Sequence, residues 1–444
     1  MFMDLRLALL LLLSAGVVLA LITVPPMYGD FSIAYWRAEG PGFVAVVGID
    51  RAPRNVTLFT EEGFSSWMKD KPGTAVYNGL LRRGDVLIIE TPPGRYVLAV
   101  YPQPISGNKT QTYANSYSGW APVGVMSLPR EPTVFSAAAG YFEIHRLKAR
   151  NEGEVKDGAS VQLNAMVVLE LVGGGRQYYF VQNVLDLYTD AGKYRFVAAV
   201  FNHTLSGRFT GLVKGSGRIF WHVSAPSYYA YATREERYSL PFEGFLLINV
   251  TAVGGAARID FGYNVGNGIV WFDSVAMRPY ALVERAYILA GPAVTSSRPA
   301  NVPITPFSVP VGTIASLELV LCGLDADSPR AELVDVDVRL ALLVWGGAGW
   351  RPPPRIFNFG FNTAETVSLN VETHLVNGTV RIIKGAFKPQ LLAEEPPAPD
   401  IPPPHAAFKP RADGWLPMAV AALIALLFLA VYRAGSALID RRLR

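Results

Sequence analysis

Apolar residues fall in short runs along most of the chain, each closed by Gly, Pro, Asn or Asp, and long stretches with helical spacing are scarce. The runs include Phe43–Ile49, Val86–Ile89, Tyr96–Tyr101, Ala165–Leu171, Tyr178–Val181, Phe196–Phe201 and Phe245–Val250. Ile269–Phe272, Ser316–Leu321 and Leu340–Val344 continue the series. Runs of this length between turn residues predict strands. Their separation, about 10–20 residues, suits β-sandwiches better than alternating strand–helix units. One stretch departs from the pattern. Thr60–Lys69, TEEGFSSWMK, places a Thr before two acids, which predicts a short helix. The fold class expected is all-β.

Two longer apolar segments frame the strand-rich part. Leu7 to Val24 carries no charge, follows Arg6 and stops at Pro25 and Pro26, so residues 1–26 read as a signal peptide or signal anchor. Leu416 to Tyr432 spans roughly 26 Å as a helix, near the lower limit for a bilayer core. Trp415 and Tyr432 stand at its ends, and the tail 433–444 carries Arg433, Arg441, Arg442 and Arg444. Interfacial aromatics and a basic tail predict a transmembrane helix over 415–432 with the tail in the cytoplasm. The intervening residues are then extracellular. Composition divides them into an N-terminal β domain (27–103), a larger β domain (104–388) and a stalk (389–414). The stalk has eight prolines in 26 positions. It predicts an extended polyproline spacer on the order of 80 Å long.

Composition narrows the function classes. The 444 residues are 50% hydrophobic and 11% aromatic but only 17% charged, the reverse of a disordered chain. The single cysteine, Cys322, excludes an intramolecular disulfide framework and is expected to be a buried small apolar residue. The net charge is +4, and no basic stretch is interleaved with aromatics, so no nucleic-acid partner is expected. Five histidines without HExxH or H-x-H spacing give no basis for a metal site, and no cofactor motif occurs. No G-x-S-x-G elbow and no glycine-rich phosphate loop is present. Five N-x-S/T sequons, at Asn55, Asn108, Asn202, Asn249 and Asn377, make these the expected glycosylation positions on the exported side.

Carboxylates are what remains for chemistry. Two acids that share a proton can activate water, because like charges that close cannot both ionise. Acids embedded in apolar strand text are the candidates, since a buried carboxylate must be paired, hydrogen-bonded or protonated. Glu318 lies in ASLELVLCG, Asp273 in IVWFDSVAM and Glu365 in FGFNTAETVSL, with Asp186 and Asp260 as weaker examples. The alternative for each is a strand acid facing solvent or capping a turn. Tyr179, Gln182 and Asn183 could line a substrate cleft, or could be sandwich core and strand-backbone partners.

Several of these pieces occur together in one family. SVQLN at Ser160–Asn164 and YYFVQNV at Tyr178–Val184 resemble the signature of the thermopsin family, archaeal secreted acid proteases. APVGV at Ala121–Val125, GYFEIHRLKARN at Gly140–Asn151, YSLPF at Tyr238–Phe242 and FGY at Phe261–Tyr263 arrive in the same order. Asp273-Ser274-Val275, LELVLCG from Leu317 and FGFNTAE at Phe359–Glu365 resemble acidic segments of that family. The resemblance implies a β-rich fold unlike pepsin, whose D-T/S-G signature is absent, and an endopeptidase acting on proteins or peptides in acid. It puts Glu318, Glu365 and Asp273 at acidic positions of the pattern.

The expectation is therefore a membrane-anchored extracellular acid endopeptidase. One carboxylate would take a proton from water. A protonated one would bind the scissile carbonyl and then donate to the amine. The alternative is a non-catalytic surface or envelope protein on the same anchor.

Overall fold

A computed structural model describes residues 22–24, 32–49, 51–101, 112–151, 156–204, 207–221, 227–266, 268–294, 314–324, 330–402 and 404. These residues are overwhelmingly strand, with one helix among them. The expected transmembrane helix at 415–432, the basic tail and most of the first apolar segment lie outside them. No helix among the described residues is long and apolar enough to cross a membrane.

The chain divides into two units. The first pairs a five-stranded sheet with a three-stranded one. Ala34, Trp36, Val44, Val46, Val56, Leu58 and Leu98, drawn from both sheets, share one core. The helix forms where the sequence predicts it, over Glu61–Trp67, because Thr60 Oγ1 accepts from Gly63 N at 3.0 Å and two acids occupy the first turn. Phe64 and Trp67 pack with Phe59, Ala75, Val97 and Tyr101 on the other side of the five-stranded sheet.

Two boundaries differ from the compositional ones. Ile22–Val24, the end of the first apolar segment, is a strand paired to Gly73–Leu81, with Val24 buried beside Phe59. Thr112–Ser118 pairs with Gly42–Gly48, so the first unit runs on to Ser118 and not to 103. Turn-rich composition hid that strand.

The second unit is a sandwich of two large sheets. The central strands of one run in the order Lys193–Asn202, Arg176–Tyr188, Gly158–Leu171, Leu317–Cys322, Val123–Ser127 and Ile356–Phe359. In the other, Val270–Arg278, Ala256–Asn264, Phe242–Val253, Ala137–Asn151 and Arg330–Trp345 lie side by side. Alternation decides what each strand contributes. Val161, Leu163, Ala165 and Val167 enter the core between the sheets with Leu317, Leu319 and Leu321. Ser160, Gln162 and Asn164 point to the opposite face of their sheet, and Glu318 and Cys322 pair across to that same face.

The Pro-rich segment is not a free spacer over its described length. Leu391–Ala393 is a strand paired to Ile356–Phe359. Asp400 N donates to Asn377 O at 3.1 Å, and Ile401 packs on the cluster of Ala139, Tyr141, Phe245 and Leu343. Composition signals the lack of a core in such a segment, but not a neighbouring sheet edge that needs hydrogen-bond partners.

Candidate active site

Glu318 stands in the middle of its sheet, opposite Asn164 on one side and Met126 on the other, with no exposed surface. A carboxylate there must find donors, and the fold supplies them. Ser316 Oγ donates to Oε1 at 2.5 Å, Phe361 N to Oε1 at 2.8 Å and Asn362 N to Oε2 at 3.3 Å. Two of these come from the 360–365 turn, which follows the strand Ile356–Phe359 and folds back over the carboxylate. Burial holds the Glu318 carboxyl above its ordinary value. Hydrogen bonds from Ser316, Phe361, Asn362 and Asn164 pull the other way without overcoming it.

The same turn carries Glu365 to this place. Thr363 Oγ1 donates to Glu365 Oε2, and Glu365 N donates to Thr363 Oγ1 at 3.3 Å. Thr363 also bears on the Cys322 thiol. That thiol is buried, and burial pushes it well up, followed by the charges of Glu365 and Glu318. Both acids therefore act on one sulfur four residues along the strand from Glu318. Glu365 is partly exposed where Glu318 is sealed. The arrangement has one acid open to reactants and one acid behind it.

Beside this pair runs a ladder of uncharged polar groups. Ser160 Oγ donates to Gly323 O at 2.6 Å, Gln162 Nε2 to Ser160 Oγ at 3.1 Å and Gln182 Nε2 to Gln162 Oε1 at 3.0 Å. All three residues are buried. Of the three expected substrate-binding residues, Gln182 belongs to this face.

The other expected site residues do other work. Asp273 sits in the second sheet and faces the space between the sheets. It accepts from Tyr229 Oη at 2.6 Å, Ser216 N at 3.0 Å and Ser274 N at 2.9 Å. Tyr229 is on the opposite sheet, so Asp273 is an inter-sheet tie and not a partner of Glu318. Asn183 points into the sandwich core, where Nδ2 donates to Leu247 O at 2.9 Å and Gly262 O at 2.8 Å. Tyr179 is core as well, stacked on Phe209 with its hydroxyl on Gln177 Oε1 at 2.6 Å. Strand alternation separates Gln182 from its neighbour Asn183, and only one face carries the acids.

Ser316, Asn362 and Thr363 were not among the expected site residues. The signal available for them is that the FGFNTAE segment sets two polar side chains before an acid, and that Ser316 stands two residues before Glu318.

The family model for thermopsin matches residues 108–371. The chain belongs to the thermopsin family. No curated protein matches it. Thermopsin-family chains are acid proteases, and the matched span includes Glu318, Glu365 and the polar ladder. Among the described residues, no group of three or more His, Cys, Asp or Glu side chains is placed to hold a metal.

The sequon expectation fails at two positions of this thermopsin-family chain. Asn202 is buried with Oδ1 accepting from Thr204 N, and buried Asn249 donates Nδ2 to Asp260 Oδ2 at 3.0 Å. Both side chains are almost fully buried, which leaves no space for a sugar chain on either amide. Asn377 is exposed in the turn between Val371–Val376 and Thr379–Lys384, at φ 48°. Asn55 is half-buried in a strand, and Asn108 lies outside the described residues.

Proposed function

We propose that this chain is an acid endopeptidase in which Glu365 exchanges protons with the reacting groups and buried Glu318 sets the pH range in which it can do so. The observation that carries this is the 360–365 turn, which donates two backbone N–H groups to Glu318 and brings Glu365 beside the same thiol.

The chemistry follows from the difference in exposure. Glu318 reaches no substrate in this conformation, so the carbonyl-binding role expected of a second acid is not assigned to it. Burial favours its neutral form. While Glu318 is neutral, Glu365 can ionise without like-charge repulsion. Ionised Glu365 takes a proton from water as the water oxygen bonds to the scissile carbonyl carbon. It then returns that proton to the amide nitrogen, the C–N bond breaks, and a carboxylic acid and an amine leave. When Glu318 ionises at higher pH, its charge opposes the negative charge that develops on the scissile carbonyl oxygen as water adds, and turnover falls. Acid activity is then a property of the buried partner.

The proposed place of action is outside the cell on a membrane anchor. Support for this comes from the apolar segments 7–24 and 416–432 and the arginine-rich tail. One observation favours a second reading, a non-catalytic surface protein: the complete burial of Glu318 also suits a purely structural carboxylate.

The test incubates full-length protein in detergent with an unfolded protein substrate, warm, from about pH 2 to 7. Cleavage in acid is expected, abolished by Glu365→Gln. Glu318→Gln is expected to alter the pH dependence of cleavage. No cleavage by the wild type would overturn the protease reading and leave the surface protein, and unchanged cleavage by Glu365→Gln would overturn the role given to Glu365.

A further inference from the structure

The donors around Glu318 are ordered in one direction. Asn362 Nδ2 donates to Ile314 O at 2.7 Å and to Ser316 Oγ at 2.6 Å. The carbonyl of Ile314 can only accept, so the nitrogen of the Asn362 amide must face it, and that orients the amide. Both amide hydrogens are then committed, one of them to Ser316. The Ser316 hydroxyl therefore accepts from Asn362, and its single hydrogen goes to Glu318 Oε1 at 2.5 Å. Backbone donors from Phe361 and Asn362 cannot turn away without moving the chain.

We infer that Asn362 and Ser316 are positioning residues that fix a one-way hydrogen-bond relay onto Glu318 and thereby set the upper pH limit of the thermopsin-family site. This rests on the proposed role of Glu318. A charge-assisted hydrogen bond stabilises an acceptor-only carboxylate more than the neutral acid. Neutral Glu318 can still accept from Ser316 at Oε1, but that bond is the weaker one, and Asn362 keeps Ser316 from turning to accept the acid proton instead. Loss of either residue thus weakens the ionised form selectively, and Glu318 keeps its proton to higher pH.

Few other groups bear on this balance. Glu365 and Cys322 are the titratable side chains that face Glu318 from its own strand and the 360–365 turn. The strand Gly158–Leu171 presents Ser160, Gln162 and Asn164, and Val123–Ser127 presents Met126 opposite, none of which titrates. One strand farther, Asp186 lies opposite Ser160 and is held by Arg195 at 2.8 Å.

The deciding experiment is infrared difference titration of the full-length protein, following the carboxylic C=O band that disappears in Glu318→Gln. Ser316→Ala is expected to raise the midpoint of that band by about one pH unit, the size of one charge-assisted bond. Asn362→Leu, which keeps the backbone N–H, should raise it in the same direction. Ser316→Thr, which keeps the hydroxyl, should restore the wild-type midpoint. The upper pH limit of cleavage should move with the band. A midpoint unchanged or lowered in Ser316→Ala overturns the relay. If that variant does not fold, an unchanged midpoint in Asn362→Leu overturns it equally. The readout does not depend on turnover. A relay that titrates as expected, with Glu318→Gln leaving the pH profile of cleavage untouched, would refute the proposed control of the pH range by Glu318 and not the hydrogen-bond relay.

Discussion

Gly360 stands directly against the carboxylate of Glu318. A Cβ at this position would lie 2.8 Å from Glu318 Oε2 and 3.0 Å from Val320 Cγ1. Neither neighbour can yield easily, since Glu318 is held by three donors and Val320 is fully buried. Gly360→Ala must therefore displace the turn that carries Glu365. We expect kcat/KM for an unfolded protein substrate to fall about a hundredfold, the usual cost of moving a catalytic group by about 1 Å. Circular dichroism should remain that of the wild type, because the strands on either side are untouched.

Asn183 joins the two sheets through a single amide nitrogen bonded to Leu247 O and Gly262 O. Replacing it with Ala strands two carbonyls in the core. A loss of about 2–3 kcal/mol is expected in chemical denaturation, with no change in the pH profile of cleavage. Gln182→Ala, one residue away on the other face, should cost less stability and more activity. A larger activity loss in the Asn183 variant than in the Gln182 variant would reverse the assignment of faces.

That pair of neighbours shows what the sequence makes legible. The apolar runs become strands, the Thr60 cap becomes a helix start, and SVQLN already alternates polar with apolar. Period two tells which residues share a face, but not which strand lies beside them or what lies beyond that face. Asp273 and Asn183 look like site residues because a polar group inside an apolar run stands out. Their partners, Tyr229 and the carbonyls of Leu247 and Gly262, are distant in sequence and had no local signature. Glu318 was legible as a buried acid. The turn that completes it was legible only as a family-like segment, because its function lies in backbone N–H groups that any residue supplies.

Stability in acid should depend on groups of opposite sign. Burial lowers the His203 pKa to about 4. Its ordinary value is 6.5, so the unfolded chain binds a proton first as pH falls. Stability is lost between those two values, by up to about 3 kcal/mol, and no further below about 4. Asp337 adds to the loss at lower pH. Arg381 grips it through bonds of 2.9 and 2.8 Å and holds its carboxyl down, so stability present above the ordinary carboxylate value is lost as pH falls through the lowered one. Glu318 works the other way. Its raised carboxyl contributes stability in acid that is lost as pH rises. His203→Gln should therefore narrow the difference in unfolding free energy between pH 7 and pH 4. An unchanged difference would mean that His203 is not neutral in the fold.

Residues 389–401 provide the last contrast, between a spacer and a structural edge. A polyproline spacer makes no contacts, so removing it should leave Tm unchanged. In this fold the segment closes a sheet edge. Gln390 N donates to Asn358 Oδ1 at 2.8 Å, and Arg355 N donates to Glu394 O at 2.5 Å. Asn358 is fully buried, and its Nδ2 also donates to Lys388 O at 2.7 Å. Truncation after Lys388 leaves the Asn358 oxygen without Gln390, removes the strand Leu391–Ala393 and uncovers the apolar patch under Ile401. Several such losses of about 1 kcal/mol each should lower Tm by more than about 5 °C. Truncation after residue 404 keeps every one of these contacts and should leave Tm within about a degree of the wild type. Equal melting of both truncations would return the whole segment to the role of a spacer. The expected difference would make its first half part of the folded unit that holds the 360–365 turn, since Ile356–Phe359, to which it pairs, leads directly into Gly360.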